Sequence, residues 1–359
     1  MSTELAGTVS FSERWRALFQ DQTSVRIIRF AVGVTLAVAL AYGVNRPLSF
    51  LLPVLTSFIL SLPIPMPSLV AGLRNMLFTL IAFGLGLVFA LFFLQFPVVY
   101  MVMLGTILFH LYYYLNRGGS LWFTLMSMIA ILLLSMLGNS HEGLAIDVSL
   151  NFIGLSWMAM IMIWVSYLLI PDPVFTPFPK NPGFQPVYSQ PAAEAALKST
   201  IVILPLAGLC MTFSMTDLIL VMIFSALFIL KPELGEGKAA GMKSLISTLL
   251  GGVYAWLFYW LIVAVPEYHF YLALTFFTTL YFGRQIFSDK PLAKYYGSAL
   301  IALLILVNGS MGGDADFHEK LAMRIILITL AVIYVVVALR LLDKFWPAKP
   351  LNNCATEQL

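Results

Sequence analysis

Residues 76–96 read MLFTLIAFGLGLVFALFFLQF, a run without a single charge. Wound as an α-helix, it reaches about 30 Å, the thickness of a bilayer's hydrocarbon core. The run lacks the alternation of a barrel strand, so a helix is the only way to satisfy its backbone in lipid. Phe152–Ile170 is a second charge-free run of the same kind. The rest of the chain follows suit: of 359 residues, 60% are hydrophobic and 10% charged, with a mean hydropathy of +0.93. A soluble domain carries roughly 25% charged residues. So few charges cannot cover a water-facing surface, which excludes a soluble enzyme and predicts an all-α polytopic membrane protein.

Twelve spans are read, at 27–44, 48–62, 76–96, 97–115, 121–138, 149–170, 199–216, 218–230, 244–265, 268–283, 295–308 and 322–341. The spans at 48–62 and 218–230 are short for a straight crossing. The first holds Pro53 and is followed by Pro63, Pro65 and Pro67, so a tilted, broken or re-entrant segment is expected. With the N-terminus placed inside, the outside keeps only Arg46, Lys320 and Arg324 of the 20 basic residues. That asymmetry predicts an even number of spans and two cytoplasmic ends. Residues 1–26 contain no cleavable apolar segment. Within them Ser12–Gln20 reads as an amphipathic helix lying on the membrane surface.

Sliding the sequence over itself by 169 positions brings Arg29 onto Lys198, Pro63 onto Pro232, Thr79 onto Thr248, Pro97 onto Pro266 and Asn139 onto Asn308. The best block sets Ala71-Gly72-Leu73-Arg74 over Ala240-Gly241-Met242-Lys243. Matched charges, prolines and an asparagine at one offset point to an internal repeat rather than chance similarity of leucine-rich helices. The expected organisation is a cytoplasmic N-terminus (1–26), a six-helix repeat (27–170), a proline-rich cytoplasmic linker (171–197), a second six-helix repeat (198–345) and a cytoplasmic tail (346–359). Six spans per half make the repeat parallel, about an axis along the membrane normal, with a substrate path expected between two halves packed side by side.

Four cations at the cytoplasmic ends of apolar helices are candidate anion-binding residues: Arg74, Lys243, Arg29 and Lys198. Arg29 and Lys198 read more readily as orientation anchors with their heads snorkelled to water. For Arg74 and Lys243 the flanking Ala-Gly admits close approach by either a helix or a ligand. Candidate proton carriers are Asp217, beside an apolar run, and Glu233 and Glu236 in the turn Lys231–Lys238. Asp217 with Thr216 also reads as a helix cap. Asn139 and Asn308 suit caps or an outer gate.

No metal site is expected from His110, His141, His269 and His318, and no cofactor is expected at all. Gly312–Asp316 lacks the downstream ligands of a calcium loop. The turn at Lys231–Lys238 lacks the spacing of a phosphate loop. Cys210 and Cys354 are too few and too separated for a disulfide framework. His110 precedes Leu111-Tyr112-Tyr113-Tyr114, whose tyrosines read as an interfacial belt or as a stack for an aromatic ligand.

Phe30–Gly43, the proline-rich Leu62–Pro67 and Ala71–Gly86 with its Arg74 resemble the core of the fusaric acid resistance and aromatic acid exporter superfamily. The stretch around Pro232 and Ala240–Gly252 resembles the same element again. The resemblance implies a secondary exporter in a bacterial inner membrane, moving small organic anions such as aromatic carboxylates. It also implies proton coupling and a membrane-fusion-type periplasmic adaptor as partner. The chain lacks the large soluble domain of the bigger exporters. The expected surroundings are a lipid bilayer and no nucleic acid, with homo-oligomerisation left open. A passive anion channel, a non-transporting subunit of an export complex, and a membrane transferase using His110 as base are the alternatives.

Overall fold

The computed structural model describes residues 21–44, 47–62, 65–172, 184, 186–230, 234–310 and 317–346. The expected surface helix Ser12–Gln20, Glu233, the loop Gly312–Asp316 and Cys354 lie outside the described residues, as do the side chains of Asn308 and His318. Among the described residues the regular structure is all helical, with no strand. Its helices are α1 (Gln22–Val44), α2 (Leu51–Leu60), α3 (Leu69–Phe93), α4 (Pro97–Asn116), α5 (Leu121–Ser140) and α6 (Glu142–Leu169), followed by α7 (Gln190–Thr212), α8 (Ile219–Phe228), α9 (Leu234–Ala264), α10 (Tyr268–Ile286), α11 (Ala293–Ser310) and α12 (Phe317–Phe345).

Among the described residues, eight helices are long and apolar enough to cross a membrane: α1, α3 to α7, α9 and α12. The outer face of α3 shows what surrounds them. Leu77, Ile81, Leu85, Val88 and Phe92 recur every three or four residues and are exposed, Phe92 by 66%. A continuous apolar stripe of that length facing outward calls for lipid rather than water. The chain is a multi-pass membrane protein.

Helix starts are set by local chemistry and precede the apolar runs. Asp21 accepts from the Ser24 hydroxyl (2.7 Å) and the Ser24 N–H (2.9 Å), which opens α1. Those bonds hold the Asp21 carboxyl below its ordinary pKa. Ser68 and Ser120 accept from Ala71 N and Phe123 N at the starts of α3 and α5. Pro97 sits in the first turn of α4, where its missing N–H costs nothing. Pro191 does the same for α7, which begins at Gln190, within the stretch expected to be extended.

Helix pairings recur along the chain. α3 packs on α5, as α9 does on α11; α2 packs on α6, as α8 does on α12; α3 packs on α6, as α9 does on α12. Further pairings join the first six helices to the last six, chiefly α4 with α7, α1 with α10, α2 with α11 and α5 with α8. Burial carries these pairings into the core. One apolar cluster combines Phe30, Leu60 and Ile163 with Phe258, Phe282 and Leu303. Another combines Leu104, Leu108 and Leu132 with Ile203, Val221 and Ile328. Cores are built both within and across the halves: α7 packs on α4, α1 packs on α10 but also on α2 and α6, and a third cluster of Ala37, Leu52, Phe83, Leu134 and Phe152 lies wholly within the first six helices.

Candidate functional site

The short helices and the cations at their ends are the chemically distinctive part of the molecule. α2 is entered through Leu48 at φ 63°, and α8 is approached through Ser214 at φ 48°. Left-handed backbone at a residue with a Cβ costs about 1 kcal/mol or more, and here it accompanies a sharp reversal into a helix of only ten residues. Asn139 from α5 holds the second reversal. Its amide donates to the Met211 carbonyl (3.3 Å) and to Ser214 Oγ (3.0 Å). Asn139 thus ties the end of α5 to the α7–α8 turn instead of capping its own helix.

Both short helices carry polar side chains that are fully enclosed. Thr56 and Ser57 of α2 turn their hydroxyls onto carbonyls of their own helix. Ser225 of α8, at the position matching Thr56, is buried with its hydroxyl unpartnered among the described residues.

Arg29 and Lys198 are neither snorkelled nor free. Arg29 is 3% exposed. Its Nη2 pairs with Asp172 Oδ1 at 2.7 Å and its Nη1 donates to the Ile170 carbonyl at 3.1 Å. The guanidinium lies 3.8 Å over the Tyr167 ring. A cation is thereby seated on the last turn of α6, where the helix dipole favours it. Lys198 repeats the arrangement at the end of α12. Its Nζ donates to the Trp346 carbonyl at 3.1 Å and lies 3.8 Å from Asp343 Oδ1. Both cations clamp a helix end and are occupied in doing so. Sequence reasoning missed the two acids. The signal was there: Asp172 and Asp343 each stand just beyond the apolar run of a sixth span.

Arg74 on α3 and Lys243 on α9 are exposed and take part in no ion pair among the described residues. The neighbouring glycines serve helix packing. A Cβ at Gly72 would run into the Trp164 ring, and one at Gly241 would come within 2.6 Å of Val332 Cγ2. Close approach at the Ala-Gly blocks is therefore by α6 and α12, and it leaves Arg74 and Lys243 pointing outward.

Asp217 is exposed in a single 3-10 turn, Thr216–Leu218, and neither it nor Thr216 caps α8 with a side chain. Glu236 is exposed in the first turn of α9. The two acids lie at opposite ends of α8, about 15 Å of helix apart, so the structure does not bring them together. Nor does the tyrosine trio form a belt. Tyr112 is fully buried and donates to the Ala226 carbonyl of α8 (3.0 Å), while Tyr113 and Tyr114 turn to other partners. His110 is exposed on α4, its Nδ1 2.8 Å from the Thr106 carbonyl.

Residues 26–168 match the model of a family described as a protein of unknown function (DUF2955). The match spans α1 to the last turn of α6, less than half of the chain. No curated protein and no solved structure matches the chain.

Proposed function

We propose that this protein is a secondary transporter of the bacterial inner membrane that exports small organic anions, aromatic carboxylates foremost. In this reading all twelve helices cross or enter the membrane as two parallel six-helix repeats, with both ends in the cytoplasm. The observation that carries it is the pair of ten-residue helices, α2 and α8, each following a left-handed residue and each lodged against helices from the other part of the chain. Interrupted helices at corresponding positions of two repeats are the hallmark of carriers. The recurring pairings at matched positions support the repeat. The Lys and Arg distribution supports the orientation.

The resemblance to the aromatic acid exporters supports the substrate class, with Arg74 and Lys243 as the exposed cations that draw anions to the cytoplasmic mouth. Arg29 and Lys198 act there by holding helix ends. Asp217, Glu233 and Glu236 are the proposed proton carriers, and a membrane-fusion-type periplasmic adaptor is the proposed partner.

The test is uptake of radiolabelled benzoate and its ring-substituted analogues into everted vesicles energised by a proton gradient. Uptake above that of vesicles lacking the protein, abolished by a protonophore, is expected. Uptake that ignores the gradient would replace the carrier with a channel. No uptake beside a working exporter would refute transport of this class.

A further inference from the structure

Near the end of α4 lies a cavity of about 500 Å³, walled by Thr106, His110, Tyr113, Tyr114, Phe123 and Phe184. Its size is that of a small-molecule site. The rings meet both flat and edgewise: Tyr114 is tilted 33° on Phe184 at 5.2 Å, and Tyr114 meets Phe123 at 84° and 5.9 Å. Such walls suit a flat ring better than a flexible chain, because ring faces and edges carry opposite partial charges.

Arg117 lies behind two of the walls, Tyr113 and Phe184. The residue is 9% exposed, and its guanidinium lies 5.2 Å from the Tyr113 ring and 5.1 Å from the Phe184 ring. Nη1 donates to the Tyr113 hydroxyl (3.1 Å), while Nη2 is buried without a partner among the described residues. No carboxylate pairs with Arg117 among the described residues. A buried cation without a counter-ion is costly, and a ligand's negative charge would relieve that cost. The Tyr113 hydroxyl also accepts from Ser189 N (3.3 Å). With both lone pairs taken, its own O–H remains to be donated, and a proton donor backed by a guanidinium is strengthened.

We infer that this cavity binds a flat aromatic monoanion, its ring among Tyr114, Phe123 and Phe184 and its carboxylate on the Tyr113 O–H, with the Arg117 charge directly behind. Tyr113 touches the ligand, and Arg117 is a positioning residue that acts through it. The inference rests on the reading of the chain as an organic-anion carrier and gives that carrier a first binding place. The occupant follows from the chemistry here: an unpaired positive charge selects an anion, and aromatic walls select a ring.

The test is equilibrium binding to the full chain in detergent, with 2-naphthoate as the fluorescent probe. Three comparators accompany it: 2-naphthamide, cyclohexanecarboxylate and phosphatidylglycerol. Wild type should prefer the naphthoate to the amide and to the saturated acid by about tenfold or more, the worth of a hydrogen bond to a charged group. Tyr113→Phe and Arg117→Gln should lose the preference for acid over amide while still binding the amide. Thr106→Trp, at an exposed position on the cavity wall and outside the Arg117–Tyr113 pair, should fill the site and lose both, with an unchanged melting temperature.

Equal binding of acid and amide by wild type would overturn the inference. So would a preference that survives Tyr113→Phe, or phosphatidylglycerol displacing the probe more readily than the saturated acid does, which would mark a lipid site. Because binding needs no gradient, naphthoate held through Tyr113 in a protein that transports nothing would sink only the transport reading. Transport with an unchanged KM in Tyr113→Phe would sink only this one.

Discussion

Removing Asp172 tests how the buried cations hold the molecule. In Asp172→Ala, Arg29 keeps the Ile170 carbonyl and the Tyr167 ring but loses the carboxylate 2.7 Å away, and it is only 3% exposed. Stripping one partner from a buried pair costs about 3–5 kcal/mol, because the remaining charge stays out of water. Asp343→Ala is the internal control. That carboxylate is 38% exposed and sits 3.8 Å from Lys198, which is itself buried but keeps the Trp346 carbonyl; a contact this long, with its acid screened by solvent, is worth about 1 kcal/mol or less. At roughly 2–4 °C per kcal/mol, Asp172→Ala should melt at least about 6 °C below wild type and Asp343→Ala within about 4 °C of it.

Cys210 supplies the assay. It is buried in α7, so a thiol-reactive dye in a Cys354→Ser background reports its unmasking on heating. Arg29→Met combined with Asp172→Ala should recover part of the loss, since no unpaired charge is left. Equal shifts for the two aspartates, or a double variant weaker than Asp172→Ala alone, would refute the reasoning.

Three further outcomes are expected. Gly72→Leu, which drives a side chain into Trp164, should destabilise by about 1–3 kcal/mol, whereas Gly43→Leu, with open space around it, should not, as the same thiol assay would show. Tyr112→Phe strips the hydroxyl from the Ala226 carbonyl and should cost about 1–3 kcal/mol, read by faster hydrogen exchange along α8. Arg74→Gln and Lys243→Gln, at exposed positions, should leave stability within about 0.5 kcal/mol of wild type yet lower anion uptake; a loss of stability matching the loss of uptake would remove their proposed role.

Hydropathy made the helices legible, because lipid leaves the backbone no other choice. The helix ends were less so: Ser68, Ser120 and Pro191 start helices outside the apolar runs, where capping rather than burial decides. Ala130 and Ala299, which the offset of 169 aligns, each face a glycine, but those glycines, Gly86 and Gly251, are 165 apart, one helical turn off that register. Along α4 and α10, however, the buried stripes match at 171: Tyr100 with Tyr271, Leu104 with Thr275, Leu108 with Thr279, Leu111 with Phe282. A sequence comparison weighted on Pro97 and Pro266 misses the two-residue slip, since Pro97 begins its helix and Pro266 precedes one. Arg117 went unnoticed as a binding residue for a different reason. Its partners, Tyr113 and Phe184, are four and 67 positions away, and only the fold gathers them.

The division of the core bears on what can move. Arg29 and Asp172 belong to α1 and to the end of α6, whose apolar residues share one cluster with α2, α9, α10 and α11. Lys198 and Asp343 belong to α7 and α12, which share another with α4, α5 and α8. A third cluster, from α1, α2, α3, α5 and α6, ties the two together, and each cation clamp joins helices that already share a packed cluster, which resists being pulled apart. Under the proposed transport they are fasteners rather than gates. Joining the clamped ends with a short bis-maleimide, through Lys198→Cys and Asp343→Cys in a background lacking Cys210 and Cys354, should therefore leave anion uptake intact. Uptake lost on cross-linking and restored with a cleavable linker would mean that this clamp opens in every cycle and is a gate, not a fastener.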